Sequence, residues 1–256
     1  MRSILLALLL ALLAVGFAFG QAPASDATSS PIATDRPAVT DSSVVVPTGT
    51  IQVENGFADT VSQGQRTLDG PETWVRIGVA AKTELRLIAP DYFGPQGIGS
   101  GFGDLAVGVK QQLGPVSGFD VSVVLTLSLP TGARAISSHG YDPSVQLPWS
   151  RSLSANWTIA GMLSVYAPTS DGRRKVTGET TFLVDRQLTK AWDAFVEYAG
   201  DFPEYSGPRH LLHFGSALKL TPNQQIDMHA GVGLSSAAVD HLIGIGYSFR
   251  FAAFRH

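Results

Sequence analysis

The sequence predicts an all-β protein, a closed antiparallel up-and-down transmembrane β-barrel of about twelve strands. Three observations predict it. Hydrophobic residues make up 44% of the 256 residues and charged residues only 15%, against about 25% charged in an ordinary soluble domain. Segments of about ten residues alternate between apolar and small or polar side chains, which sends the two kinds to opposite faces of a strand. That length matches the ~9–11 residues a tilted strand needs to cross hydrocarbon. Finally, the connections between segments are short and long in turn, as in outer-membrane barrels with tight periplasmic turns and longer extracellular loops.

At the N-terminus, Arg2, the apolar run Ile4 to Val15 and the small residues Ala18 and Gly20 form a secretory signal peptide over residues 1–20, with cleavage expected after Gly20. A retained anchor is the alternative, but the apolar run falls short of the ~20 residues that a spanning helix requires. Residues 21–47 are rich in Ala, Ser, Thr, Pro and Asp without periodicity, which predicts a flexible periplasmic leader. The barrel is expected over 48–251, followed by a short extension, 252–256. No stretch after residue 20 is long and apolar enough for a spanning helix, so strands must do the crossing.

Strands are expected at 49–59, 72–81, 83–90, 103–113, 119–130, 142–152, 155–167, 178–188, 191–200, 209–220, 224–234 and 239–251. The last is the clearest: Ile243, Ile245, Tyr247, Phe249 and Phe251 oppose Gly244, Gly246, Ser248 and Arg250. The weakest is 142–152, where Pro143 and Pro148 each lack a ladder donor, so ten or fourteen strands stay open. The odd connections, Val61 to Pro71 and Asp91 to Phe102 among them, are expected as loops. Phe119, Trp149, Trp157 and Trp192 fall on the apolar face beside short turns, where membrane-interface aromatics sit. A soluble β-sandwich is the alternative, but it gives no reason for loop lengths to alternate.

If the apolar face meets lipid, the opposite face lines the lumen. It carries Glu54, Arg76, Glu84, Arg86, Lys110, Asp120, Asp185, Asp193, Glu197, Lys219, Asp227 and Arg250. Such mixed charges either brace a narrow barrel or line an aqueous path. Asp35 and Arg36, just before the first strand, are candidates for a periplasmic latch that pairs with lumen charges.

Other chemistries have little support. Cysteine is absent, the formal charge is only -3 without a basic run, and nucleic acid is excluded as a partner. His210, Ser216 and His241 share an outward face, but no nucleophile-elbow pattern accompanies them. His213 and His229 point inward and lack assignable further metal ligands. No catalytic residue, metal or cofactor is expected.

Thr34-Asp35-Arg36-Pro37, the run Gly49 to Gly56, Glu84-Leu85-Arg86-Leu87, Gly103-Asp104-Leu105 with Lys110, and Leu129-Pro130-Thr131-Gly132 occur in this order. Together they resemble the transporter family named for the meta pathway of phenol degradation, over about residues 33 to 251. That resemblance implies an outer-membrane location and movement of aromatic or other hydrophobic small molecules. Such barrels commonly end on an aromatic residue, whereas here Ala252 to His256 follow Phe251. The reading is an outer-membrane channel or transporter for passive uptake of small molecules, with a structural or enzymatic barrel of closed lumen as the alternative. Its expected partners are outer-membrane lipids, the barrel assembly machinery and a small-molecule solute.

Overall fold

The computed structural model describes residues 30–95 and 100–253. The expected signal peptide, the start of the leader and residues 254–256 lie outside the described residues. The strands are β1 (Thr50–Ser62), β2 (Gln65–Gly70), β3 (Trp74–Ala80), β4 (Thr83–Ile88), β5 (Tyr92–Pro95), β6 (Gly101–Phe102), β7 (Leu105–Val116), β8 (Phe119–Leu129), β9 (Asp142–Ser152) and β10 (Trp157–Tyr166). They continue with β11 (Thr169–Ser170), β12 (Arg173–Arg174), β13 (Thr177–Gln187), β14 (Trp192–Pro203), β15 (Arg209–Thr221), β16 (Gln224–Gly233) and β17 (His241–Ala252). Each of the pairs β2/β3, β4/β5 and β6/β7 forms one crossing in two pieces, which gives twelve antiparallel crossings. The ring closes where β1 pairs with β17, from Thr50↔Ala252 to Val61↔His241. The β11–β12 hairpin stands apart in a loop.

Burial is inverted relative to a soluble protein. Among the described residues, 22 polar or charged residues are buried against 11 hydrophobic ones. In β17, Ile243 and Ile245 are 59% and 61% exposed, while Ser248 is fully buried. A soluble fold would lose free energy on every such apolar side chain, roughly 25 cal/mol per Å² left in water. In a bilayer that term vanishes, and closing the ring satisfies the backbone donors and acceptors that lipid cannot.

The turn-end aromatics cluster. Phe119 and Trp149 meet edge to face at 5.7 Å, Arg151 lies over Phe119, and Arg186 lies over Trp157. The Trp192 indole donates to Ser216 Oγ at 2.5 Å. These rings sit beside the short connections at 117–118, 153–156 and 188–191, which marks that rim as an aromatic girdle.

The structure corrects three expectations. The segment Val61 to Pro71 is not a loop: β1 runs on to Ser62 and turns through Gln63 (φ 51°) and Gly64 (φ 73°) into β2. Two consecutive positive φ values match the twist of a tight hairpin, a geometry that polar composition alone had hidden. Within Asp91 to Phe102, residues 92–95 pair with β2, and residues 92–93 also pair with 101–102. The leader is the third: its composition predicts mobility, but from Ser30 onward it is bonded inside the barrel, as described below. The doubtful strand β9 forms in full. Pro148 occupies a position where the β8–β9 ladder skips from Val121↔Trp149 to Val124↔Gln146.

The wall is uneven at one level. The pairing of β1 passes from Ala58↔Asp69 to Glu54↔Trp74, that of the second and third crossings from Gly70↔Tyr92 to Trp74↔Ile88, and that of the third and fourth from Tyr92↔Phe102 to Ile88↔Ala106. Three adjacent ladders are thus interrupted side by side. Among the described residues the gaps are bridged by Gly56 N–H to Pro71 O, Ala89 N–H to Thr73 O and Gly103 N–H to Asp91 O.

Candidate functional site

The site is the lumen and the segment threaded into it. Residues 30–47 enter at the short-turn end, where Ile32 N–H donates to Pro222 O at 2.7 Å and Arg250 donates to Ser30 O. They rise to Arg36 and Pro37, cross toward β14, and return to the same end, where Gly49 N–H donates to Gly78 O. Ile32 and Val46 are both buried where the segment enters and leaves.

Charge complementarity holds it there. The Asp35 carboxylate receives Arg86 at 2.5 Å and Lys110 at 3.0 Å, with Arg76 at 3.3 Å. Asp41 receives a second Arg86 nitrogen at 2.6 Å. Arg76 is braced in turn by Glu84 and Glu54, each at 2.9 Å, and its other hydrogens reach Ala33 O and Val44 O at 3.1 Å. Lys110 also donates to Ser42 O at 2.8 Å. All these wall side chains are buried, and charges taken out of water persist only when paired and hydrogen-bonded. Burial alone would raise the Asp35 carboxyl, but the attraction of Arg76, Lys110 and Arg86 outweighs it and holds Asp35 below the ordinary carboxylate range.

Wall acids meet leader N–H groups in the complementary sense. Glu54 accepts from Asp35 N–H at 2.9 Å and Arg36 N–H at 3.0 Å, and Glu84 from Val46 N–H at 2.8 Å. Across the lumen, Glu197 accepts from Val39 N–H at 2.9 Å, from Thr40 N–H at 2.7 Å and from the Thr40 hydroxyl at 2.6 Å. Ser43 meets Ser150 at 2.7 Å, and Gln225 donates to Thr34 at 2.8 Å. The contacts therefore come from strands around the ring, and the segment lies across the lumen rather than along one wall.

Arg36 pairs with Glu72 and with Asp227, the latter at 3.4 Å, and also donates to Ile245 O at 3.3 Å. Its guanidinium lies against the facing glycines Gly56 and Gly246, which form a register pair. A Cβ on Gly56 would come within 2.1 Å of it, and one on Gly246 within 2.6 Å. Gly56→Val is accordingly expected to expel Arg36 while leaving the outward face untouched, read as a rise in single-channel conductance with unchanged heat-modifiable migration on a gel.

The structure thus gathers Glu54, Arg76, Glu84, Arg86, Lys110, Glu197, Asp227 and Arg250 around the leader. The rest stand apart. Lys219 and Asp193 pair at 3.0 Å near the turn end, half-buried, with Asp185 on the neighbouring strand. Asp120 is half-buried opposite Ser150. Sequence reasoning missed Asp41 and Glu72. Asp41 lies in a segment without periodicity and Glu72 in a gap between strands, so neither carried a signal. Gln52 and Gln225 were legible as polar residues on the inward face. His213 and His229, apart in sequence, meet at 2.9 Å, and His213 also contacts Glu197 at 2.8 Å. Among the described residues no group of three or more His, Cys, Asp or Glu is placed to hold a metal.

Known proteins share this architecture. The model of the family described as "Putative MetA-pathway of phenol degradation" matches residues 34–251. A search of curated protein sequences finds no match. Among solved structures, the COG4313 outer membrane channel from Pseudomonas putida F1 superposes with a TM-score of 0.66 at 11% identity, over 81% of this chain and 97% of that one. The NanC porin gives 0.57 at 10% identity, covering 78% and 98%, and the KdgM porin 0.54 at 13%, covering 79% and 99%. At such identities these likenesses speak for the fold, the twelve-stranded barrel of outer-membrane channels and porins. Because that match runs over residues 34–251 of the 256-residue chain and takes in the leader motif and the inward charges, the chain belongs to the family described as the MetA-pathway of phenol degradation.

Proposed function

We propose that this chain is an outer-membrane channel for passive uptake of small hydrophobic or aromatic molecules, closed at rest by residues 30–47. The observation that carries the reading is the leader laid across the lumen on a matched set of buried charges. A barrel with a purely structural role has no need of a separable segment in its bore. A polar segment held by buried ion pairs also opposes a free path for water and ions.

The hydrophobic class is supported by the interrupted wall. Beside the three gapped ladders the outward side chains are Phe57, Leu68, Tyr92 and Phe102, all exposed on the face that meets lipid, which offers an apolar molecule a surface to approach at the level where the wall is least continuous. Catalysis has no comparable support: Ser216 Oγ donates to the backbone oxygen of Asp193 and receives the Trp192 indole.

Uptake into Gram-negative cells tests the solute class. Cells producing the channel are expected to take up a labelled small aromatic several-fold faster than cells lacking it, with uptake of a sugar of similar size unchanged. Faster sugar uptake with unchanged aromatic uptake would overturn the proposed class.

A further inference from the structure

Outside the lumen, one patch of the lipid-facing wall differs from the rest. On the half of the barrel nearer the long loops, register pairs form two transverse rows. Val145, Val165, Gly178 and Phe202 make the first, and Leu163, Thr180 and Gly200 lie in the second. The outward positions of β13 here carry only Gly178 and Thr180, between exposed Leu163 and Val165 on one side and exposed Phe202 on the other. The missing side chains leave a hollow of about 320 Å³ whose lining is almost wholly apolar. Nothing lies within 4 Å of where a Gly178 Cβ would stand.

The connection from β10 to β13, at the loop end of the strands that line the hollow, is cationic. The connection 167–176 carries Arg173, Arg174 and Lys175 against one acid, Asp171, a net +2. Arg174 fixes it over β9 and β10 by donating to Ala167 O at 2.7 Å and Tyr141 O at 2.9 Å. The acids facing it are largely engaged. Asp142 accepts from Thr169 N–H and Oγ1 and lies 4.0 Å from Arg174, Asp201 pairs with Arg209 at 3.0 Å, and Glu204 takes the Val176 N–H. Lys175 pairs with Asp171 at 3.2 Å, and Arg173 is exposed. From Arg173 to Gly178 is five residues, ~18 Å at full extension, close to the ~15 Å depth of one hydrocarbon leaflet.

We infer that this patch is a docking site for a phosphorylated glycolipid of the outer leaflet, its phosphates on Arg173 and Lys175, with Arg174 holding the hairpin in place, and an acyl chain in the hollow over Gly178. Two chemistries at one lipid's length carry the assignment. Arginine forks recognise phosphate oxygens, and a hollow in an apolar wall gains dispersion contacts when a chain fills it. The site is separate from the plugged lumen, so the inference stands or falls independently of the proposed solute.

Native mass spectrometry of the full chain in detergent tests it with three probes: bis-phosphorylated lipid A, its dephosphorylated form, and phosphatidylglycerol. The wild type is expected to retain lipid A about tenfold better than either of the others. Arg173→Glu with Lys175→Glu is expected to abolish that preference while keeping heat-modifiable migration, because both side chains are in a loop. Gly178→Phe, which fills the hollow, is expected to weaken retention of lipid A as well. Equal retention of all three probes by the wild type, or wild-type retention by both folded variants, would overturn the inference. A phosphatidylglycerol preference would do so too.

Discussion

Asp35→Ala is expected to unlatch the leader and turn a nearly silent barrel into a conducting one. The substitution leaves Arg86 with Asp41 and a Glu84 oxygen 3.9 Å away, and leaves Lys110 with Ser42 O and a Glu84 oxygen 3.8 Å away. Removing one member of a buried ionic network strands its partners, at a cost of roughly 3–5 kcal/mol. That is large enough to displace the segment rather than merely loosen it, since the leader has no secondary structure of its own to retain. Asp35→Asn keeps the shape without the charge and should open the barrel to a lesser degree. Acid should act in the same direction. Because Asp35 is held below its ordinary value of 3.8, its contribution to closure is complete above that pH and is lost as pH falls through the depressed folded value. Conductance is therefore expected to be flat from neutrality down to about pH 4 and to rise only below it. A rise beginning near pH 6 would point to a different group.

The second large effect is expected at Glu197, on the opposite side of the lumen. Its carboxylate takes three hydrogen bonds from Val39 and Thr40 and a fourth contact from His213. Bonds to a charged acceptor contribute about 1.5–3 kcal/mol each, not additively. Glu197→Ala should free the crossing part of the leader while Asp35 still holds its rising arm, giving a partial and fluctuating opening. In planar bilayers the signature is frequent brief conducting events at neutral pH. Glu197→Gln should fare almost as badly, because its amide turns donors toward donors. Conductance traces identical to wild type for both variants would remove Glu197 from the closure.

The period-two alternation carried nearly all of the wall. Once one face is greasy and the other small or polar, strand pairing and inward charge follow from geometry, which is why Glu54, Glu84, Arg86, Lys110 and Asp227 are legible in the sequence. What alternation cannot express is a segment that is not a strand. Residues 30–47 read as flexible because they bury little apolar surface, and burial is what composition measures. Their order comes instead from partners that lie far away in sequence: Arg86 is 45 residues from Asp41, and Glu197 is 157 from Thr40. The motif Thr34 to Pro37 was the one local hint. Breaks such as Gly70 to Thr73 were hidden for a similar reason, since each half continues the alternation and only register shows the gap. The hairpin at Gln63-Gly64 shows the reverse: a polar stretch that looked like a loop is strand, because the positive-φ turn lets β1 and β2 pair residue by residue from Ser62↔Gln65 to Ala58↔Asp69.

The central claim, that residues 30–47 close the lumen, is tested most directly by locking them in place. The chain contains no cysteine, so Ser43→Cys with Ser150→Cys, at positions whose hydroxyls stand 2.7 Å apart, introduces a single cross-link between leader and wall. Combined with Glu197→Ala, the oxidised protein is expected to be silent in a planar bilayer, and reduction is expected to restore the brief openings in the same membrane. Equal conductance before and after reduction, in a protein whose cross-link is verified by mass, would contradict the account.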